Sequence, residues 1–147
     1  SGLRAEVEKM VFNEKKLLLG ICVGMQILAE SSDEGKEKGL GWIKAGVKIF
    51  DTNNIKHETK LPHMGWNSID IKSKNEPLFS NLGFQPRFYF LHSYFFQCKD
   101  SENIISETDY GAKYTSAVKL DNIYGVQFHP EKSHKNGVKL LSNFSNL

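Results

Sequence analysis

Two cysteines in 147 residues, Cys22 and Cys98, stand far apart in dissimilar surroundings and make no disulfide framework. Neither they nor the five histidines fall into C-x-x-C or H-E-x-x-H spacing, so no metal site is expected. Long apolar runs are missing as well. Leu17-Leu18-Leu19 and Phe88-Tyr89-Phe90-Leu91 fall far short of the roughly 20 residues a membrane helix needs. Ser1 to Lys16 is charged and has no apolar h-region, so no secretory leader is expected there. Nor does one sign of charge prevail: 19 basic residues face 17 acidic ones, for a net charge of +2. That balance calls for neither nucleic acid nor an anionic membrane. There is no internal repeat and no low-complexity tract. A cytoplasmic protein is the expectation.

What is present suits one compact domain over residues 1–147, with 39% hydrophobic and 24% charged residues. A chain of this length can bury roughly two thirds of its unfolded surface without staples. Leu3, Val7, Met10 and Val11 recur at helical spacing, which predicts an amphipathic helix over Leu3–Glu14. Leu17–Ile21 is a short continuous apolar run, as in a strand of a parallel sheet buried on both faces. After the break at Gly20-Ile21-Cys22-Val23-Gly24, Met25–Ser31 resumes a helical pattern. Strand, tight turn and helix place Cys22 at the carboxyl end of a parallel strand, where open α/β sheets hold their ligands. Beyond the polar stretch Ser32 to Gly41, strand-like segments follow at Ile43–Phe50, Trp66–Ile71, Arg87–Gln97, Asn103–Thr108, Tyr114–Leu120 and Ile123–Phe128. Asp51–Lys60 reads as a surface loop. Ser133–Phe144 reads as a closing helix, with Val138, Leu140, Leu141 and Phe144 on its apolar side.

Gly20-x-Cys22-x-Gly24 has the form of a nucleophile elbow with cysteine as the nucleophile. The flanking glycines allow a strained turn and close packing of the next helix on the strand. The amino end of that helix is expected to favour the thiolate. The Val23 N–H is placed to bind an oxyanion formed by attack from Cys22. Alone, the motif fits a buried structural cysteine equally well. In Gln127-Phe128-His129-Pro130-Glu131, side chains two apart on an extended segment share one side, so Glu131 can reach the His129 imidazole. Histidine would then act as general base and acid, with the carboxylate setting its tautomer. Alone, this pair also fits a histidine in a surface turn beside a solvated glutamate. Cys98, with no histidine or acid patterned around it, reads as structural, and Asp33, Glu34 and Glu37 as a solvated loop.

Taken together, Gly20-Ile21-Cys22-Val23-Gly24-Met25-Gln26 and His129-Pro130-Glu131 resemble the G-x-C-x-G-x-Q and H-P-E motifs of the class I, triad-type glutamine amidotransferases. Further similar segments are Gly39-Leu40-Gly41, Pro62-His63-Met64-Gly65-Trp66-Asn67, Phe88–Tyr94 and Gly125–Ser133, so the resemblance spans essentially the whole chain. Within the family it is greatest to the glutaminase subunits of histidine biosynthesis. The resemblance implies an α/β, flavodoxin-like open sheet with helices on both faces. It also implies Cys22 as nucleophile, His129 as base and Glu131 as its orienting partner. Val23, Gln26, His92, Ser93 and Tyr94 would lie at the substrate, L-glutamine. Pro62, His63, Met64, Trp66, Asn67 and Lys132 would lie near a synthase or cyclase partner of TIM-barrel type, in a heterodimer. No cofactor is implied.

Family members open on a strand-loop-helix region with a PGVG-like loop that supplies a second oxyanion-hole amide. No such loop precedes Cys22, so the domain is expected to be amino-terminally incomplete and to lack its first strands. Two other readings stay open. The same chemistry could serve a sugar amidotransferase of surface-polysaccharide synthesis, or the chain could be a non-catalytic partner-binding fragment.

Overall fold

The computed structural model describes residues 2–73 and 75–147. It begins with helix α1, Gly2–Glu8, which widens into a π-helical turn at Lys9–Asn13. The expected helix is thus present, with a looser last turn. That turn frees the Val11 carbonyl, which accepts from Asn122 Nδ2 at 2.9 Å, the usual way such a bulge is stabilised. Strand β1, Leu18–Ile21, and the four-residue helix α2, Val23–Gln26, follow as the elbow motif predicts. The helix expected to run to Ser31 stops short. The carbonyls of Ile27, Leu28 and Ala29 accept from Leu40, Ile43 and Gly41 of the following loop, and Ser31–Ser32 forms the short strand β2.

The remaining strands are β3 (Ala45–Ile49), β4 (His63–Ser68), β5 (Asp70–Ile71), β6 (Arg87–His92), β7 (Tyr94–Cys98), β8 (Ile104–Asp109), β9 (Lys113–Leu120) and β10 (Ile123–Val126). The main sheet has the order β1-β10-β9-β7-β3-β2, with β8 on β9 and β5 on β8. It is mixed. Among the described residues only β1·β10 and β2·β3 pair in parallel. The other pairs are antiparallel, and short turns join two of them, β8·β9 and β9·β10, the latter through Asp121 and Asn122. Strands β4 and β6 form a separate antiparallel pair. Two expected strands are each split. Trp66–Ile71 divides at Ile69, and Arg87–Gln97 divides at Ser93, where the chain passes from the small sheet to the large one. Apolar alternation continues through both breaks, so local pattern could not mark them. Strand β1 lies at the end of the strand order, and of its four residues only Gly20 is buried.

Alternation along the strands gives the sheet two covered faces. On one side Leu18, Val47, Phe96, Val118 and Ile123 pack with Val11, Met25 and Leu28. On the other, Leu19, Ile21, Phe95, Tyr124 and Val126 pack with Phe128, Leu140 and Phe144. Helix α2 sits close on the sheet because Gly20 and Gly125 are register partners beneath it. A Cβ at Gly20 would come within 2.5 Å of the Gly24 carbonyl oxygen, and one at Gly125 within 2.7 Å of Met25 Cγ.

The closing helix α3, His134–Ser145, turns Leu140 and Phe144 inward as expected, but not Val138 and Leu141. Gly137 and Leu140 are buried, whereas Val138 is 70% exposed and Leu141 37%. The cause is Gly137, which rests against the Pro130 backbone so closely that a Cβ there would meet the Pro130 carbonyl. This contact sets the rotation of the helix. Asp51–Lys60 is a surface segment as expected, anchored by the buried Ile55.

Candidate active site

Strand β1 delivers Cys22 in a conformation that an L-residue rarely adopts, with φ 51° and ψ −110°. Such backbone costs on the order of 1–3 kcal/mol and persists only where the surroundings enforce it. Here the Cys22 N–H is held by the Val126 carbonyl at 2.8 Å, and α2 is held down over the paired glycines. The sulfur is half-buried. Its hydrogen bonds run to the Leu91 carbonyl at 3.8 Å and from Gln127 Nε2 at 3.7 Å.

The expectation that the helix end would favour the thiolate is corrected. Burial is the largest influence and pushes the Cys22 thiol up, and the carboxylates of Glu131 and Glu34 push the same way. The Val23 N–H and the Gln127 amide oppose this without outweighing it. Helix α2, at four residues, is too short to carry a full macrodipole.

Beyond β10 the chain carries His129 and Glu131 to the same end of the sheet. His129 Nδ1 donates to Glu131 Oε1 at 2.6 Å, so the two-residue spacing works as expected. In the neutral ring this leaves Nε2 unprotonated and free to act as a base. Among the described residues the Cys22 sulfur is not hydrogen-bonded to His129; Leu91 and Gln127 hold it instead. The His129 loop is anchored by Ser133, whose Oγ donates to the His129 carbonyl at 2.6 Å and accepts from the Tyr89 N–H at 2.9 Å. The His129 N–H in turn donates to the Tyr89 carbonyl at 2.8 Å.

Of the other expected substrate residues, Gln26 and His92 have their side-chain nitrogens turned to the protein. Gln26 Nε2 donates to the Tyr94 carbonyl and to Gln127 Oε1, both at 3.0 Å. His92 is buried. Its Nδ1 donates to the Tyr94 carbonyl at 2.7 Å, and its Nε2 lies 3.3 Å from His63 Nδ1 and 3.2 Å from the Tyr114 hydroxyl. Ser93 is the hinge between β6 and β7, and its carbonyl accepts from Phe50. In this arrangement His92 supports the site from within rather than presenting a free ring nitrogen to a ligand.

The expected interface segment divides by strand alternation. In β4, Met64 and Trp66 are 62% and 40% exposed, while His63 is 4% exposed. His63 is therefore corrected from a surface contact to a core residue. Asn67 Nδ2 donates to the Asp109 carbonyl at 2.8 Å and lies 3.3 Å from His63 Nε2. That fixes the His63 proton on Nδ1, facing His92. Burial, together with the neighbouring His92 and His57, lowers the His63 pKa to about 3. Burial likewise lowers that of His92 to about 4. Trp66 packs edge-on to Tyr89 and His134, and the Lys132 ammonium lies over the Tyr89 ring. Beside them a groove of about 430 Å³ is lined by Pro62, Met64, Trp66, Asn67 and Tyr110, among others.

Gln127, Ser133 and Tyr114 hold the site together, yet motif reading assigned them no role. A glutamine inside an otherwise apolar strand end was a usable signal, because a buried amide must find partners.

A family model described as Glutamine amidotransferase class-I matches residues 1–146. The chain is 48% identical over 147 residues to "Imidazole glycerol phosphate synthase subunit HisH" of Leptospira borgpetersenii, covering all of this chain and 72% of that protein. It is 52% identical over 143 residues to "Imidazole glycerol phosphate synthase subunit HisH 2" of Methanococcus maripaludis, covering 97% of this chain and 69% of that one. Among solved structures, PurLQS from Thermotoga maritima is similar with a TM-score of 0.68 and 20% identity, over 96% of this chain and 66% of that one. A glutamine amidotransferase from the same organism has a TM-score of 0.62 and 16% identity, over 99% of this chain and 54% of that one. At these identities the structures speak for the fold alone.

Proposed function

The chain belongs to the class-I glutamine amidotransferase family, and on that premise we propose that it is the glutaminase subunit of an imidazole glycerol phosphate synthase. It hydrolyses L-glutamine to glutamate and ammonia in histidine biosynthesis. The observation that carries this reading is the strained Cys22 elbow beside a formed His129–Glu131 pair, whose carboxylate is close enough to raise the Cys22 thiol.

In the reaction, His129 Nε2 takes the Cys22 proton and the sulfur attacks the side-chain amide carbon of glutamine. The Val23 N–H stabilises the oxyanion that forms. His129 returns the proton to the departing nitrogen, and ammonia leaves a glutamyl thioester. Water, deprotonated by His129, then releases glutamate and restores the thiol. Glu131 holds the imidazole in the tautomer this sequence requires. A buried thiol with a raised pKa suits a resting site that becomes active when His129 engages the sulfur.

Ammonia passes to a synthase subunit of TIM-barrel type in a heterodimer, and the work is cytoplasmic. Met64, Trp66 and Lys132 form the docking surface, supported by the exposure of all three and by the groove that Met64 and Trp66 line. Glutamate release measured with the synthase subunit present, for wild type and Cys22→Ala, tests the reading. Loss of release in the variant is expected. Equal rates in both would overturn it.

A further inference from the structure

Gln127 is completely buried, lies just past β10, and spends its backbone N–H on the Ser116 carbonyl at 2.9 Å. Its side chain has one acceptor oxygen and two N–H donors to place. Their direction follows from the neighbours. The Tyr94 carbonyl can only accept, so Gln26 must turn its NH2 group toward it. The same NH2 group reaches Gln127 Oε1 at 3.0 Å. With its oxygen taken, Gln127 turns its own NH2 group the other way, to Cys22 Sγ at 3.7 Å. One backbone carbonyl thus sets two side-chain amides in series, and the second points at the sulfur.

We propose that Gln127 is a further catalytic residue, an N–H donor that seats the Cys22 sulfur and stabilises it as a thiolate, and that Gln26 is the positioning residue that aims it. The assignment rests on the reading of Cys22 as the nucleophile. Its logic is differential. The Leu91 carbonyl accepts from the thiol and loses that bond once the proton leaves. The Gln127 N–H and the Val23 N–H then remain as donors, and a donor to a charged acceptor is roughly twice as strong as one to a neutral acceptor. The groups acting against them are the carboxylates of Glu131 and Glu34 and the burial of the site. His129 and His92 lie on the adjoining segments.

The test is the pH dependence of Cys22 alkylation by iodoacetamide, followed by mass spectrometry between pH 6 and 10, in the full chain carrying Cys98→Ser. Gln127→Leu should raise the apparent thiol pKa by about one unit, which makes alkylation roughly tenfold slower at pH 7. Gln26→Met keeps Gln127 but releases its aim, and should shift the profile the same way by a smaller amount. A folded Gln127→Leu protein with the wild-type profile overturns the proposal. Should that variant not fold, Gln127→Met, which also lacks the N–H donor but keeps the side-chain length, decides: a wild-type profile there overturns it. A shift in Gln127→Leu without one in Gln26→Met upholds the donor and removes the positioning role. These outcomes are separate from the glutaminase reading, which fails only if Cys22→Ala still releases glutamate.

Discussion

His129 Nδ1 and Glu131 Oε1 stand 2.6 Å apart, joined in a chain segment that Ser133 ties back to Tyr89. Among the described residues His129 makes no hydrogen bond to the Cys22 sulfur, which Leu91 and Gln127 hold. The imidazole is therefore oriented by Glu131 and not by the thiol.

Glu131→Gln should leave the fold intact and lower the rate of glutamate release by between about a hundredfold and ten-thousandfold, because the amide no longer dictates the imidazole tautomer. Turnover with the synthase subunit present, alongside a melting curve, checks both halves of that expectation.

Ser133→Ala removes an oxygen that serves one donor and one acceptor in a buried position. The Tyr89 N–H and the His129 carbonyl each lose a partner, at a cost of about 1–3 kcal/mol for the donor left unsatisfied. Denaturant unfolding should show that loss. Since the His129 loop is what the hydroxyl anchors, kcat should fall while KM for glutamine changes little. A drop in stability with kcat unchanged would mean that the clamp does not act on the base.

Gly20→Ala and Gly125→Ala should differ although the two positions are register partners. The new methyl at 20 meets backbone atoms of Gly24 and Met25, whereas at 125 the nearest atom belongs to the Met25 side chain. Met25 can shift and the backbone of the elbow cannot. Overpacking costs typically 1–3 kcal/mol, and the substitution at 20 should lie at the upper end or beyond, with loss of activity. Chemical denaturation of the two variants compares them directly.

Acid should destabilise the protein through His63 and His92. Their folded pKa values are lowered to about 3 and about 4, against an ordinary value near 6.5. In this window the unfolded chain binds more protons, so the stabilisation is complete above about pH 6.5 and is lost as pH falls toward 4. At about 1.4 kcal/mol per unit, the lowering corresponds to on the order of 5 kcal/mol for His63 and about 3 kcal/mol for His92. His92→Gln should flatten the stability profile between pH 4 and 6.5. An unchanged slope would show that these rings do not govern it.

Legibility from residue order varied with the range of the contact. The Gly20–Gly24 turn, the His129–Glu131 spacing and the apolar content of the strands depend on residues a few positions apart, and local sterics and side-chain direction sufficed to read them. Partner choice among strands did not. The passage between sheets at Ser93 interrupts no apolar pattern, and the exposure of Val138 and Leu141 on α3 follows from Gly137 meeting Pro130, a contact the apolar stripe does not show. The site divides the same way. Cys22, His129 and Glu131 were visible in their motifs, while Gln127 acquires its part only by meeting Gln26, 101 residues earlier, and the Cys22 sulfur. The burial of His63 likewise depends on β4 pairing with β6 in a register that sets it opposite His92. Residue order decided which groups were available and how each short segment bends. Burial and long-range pairing decided which of them met, and so raised the thiol, kept two histidines neutral and turned one glutamine toward the Cys22 sulfur.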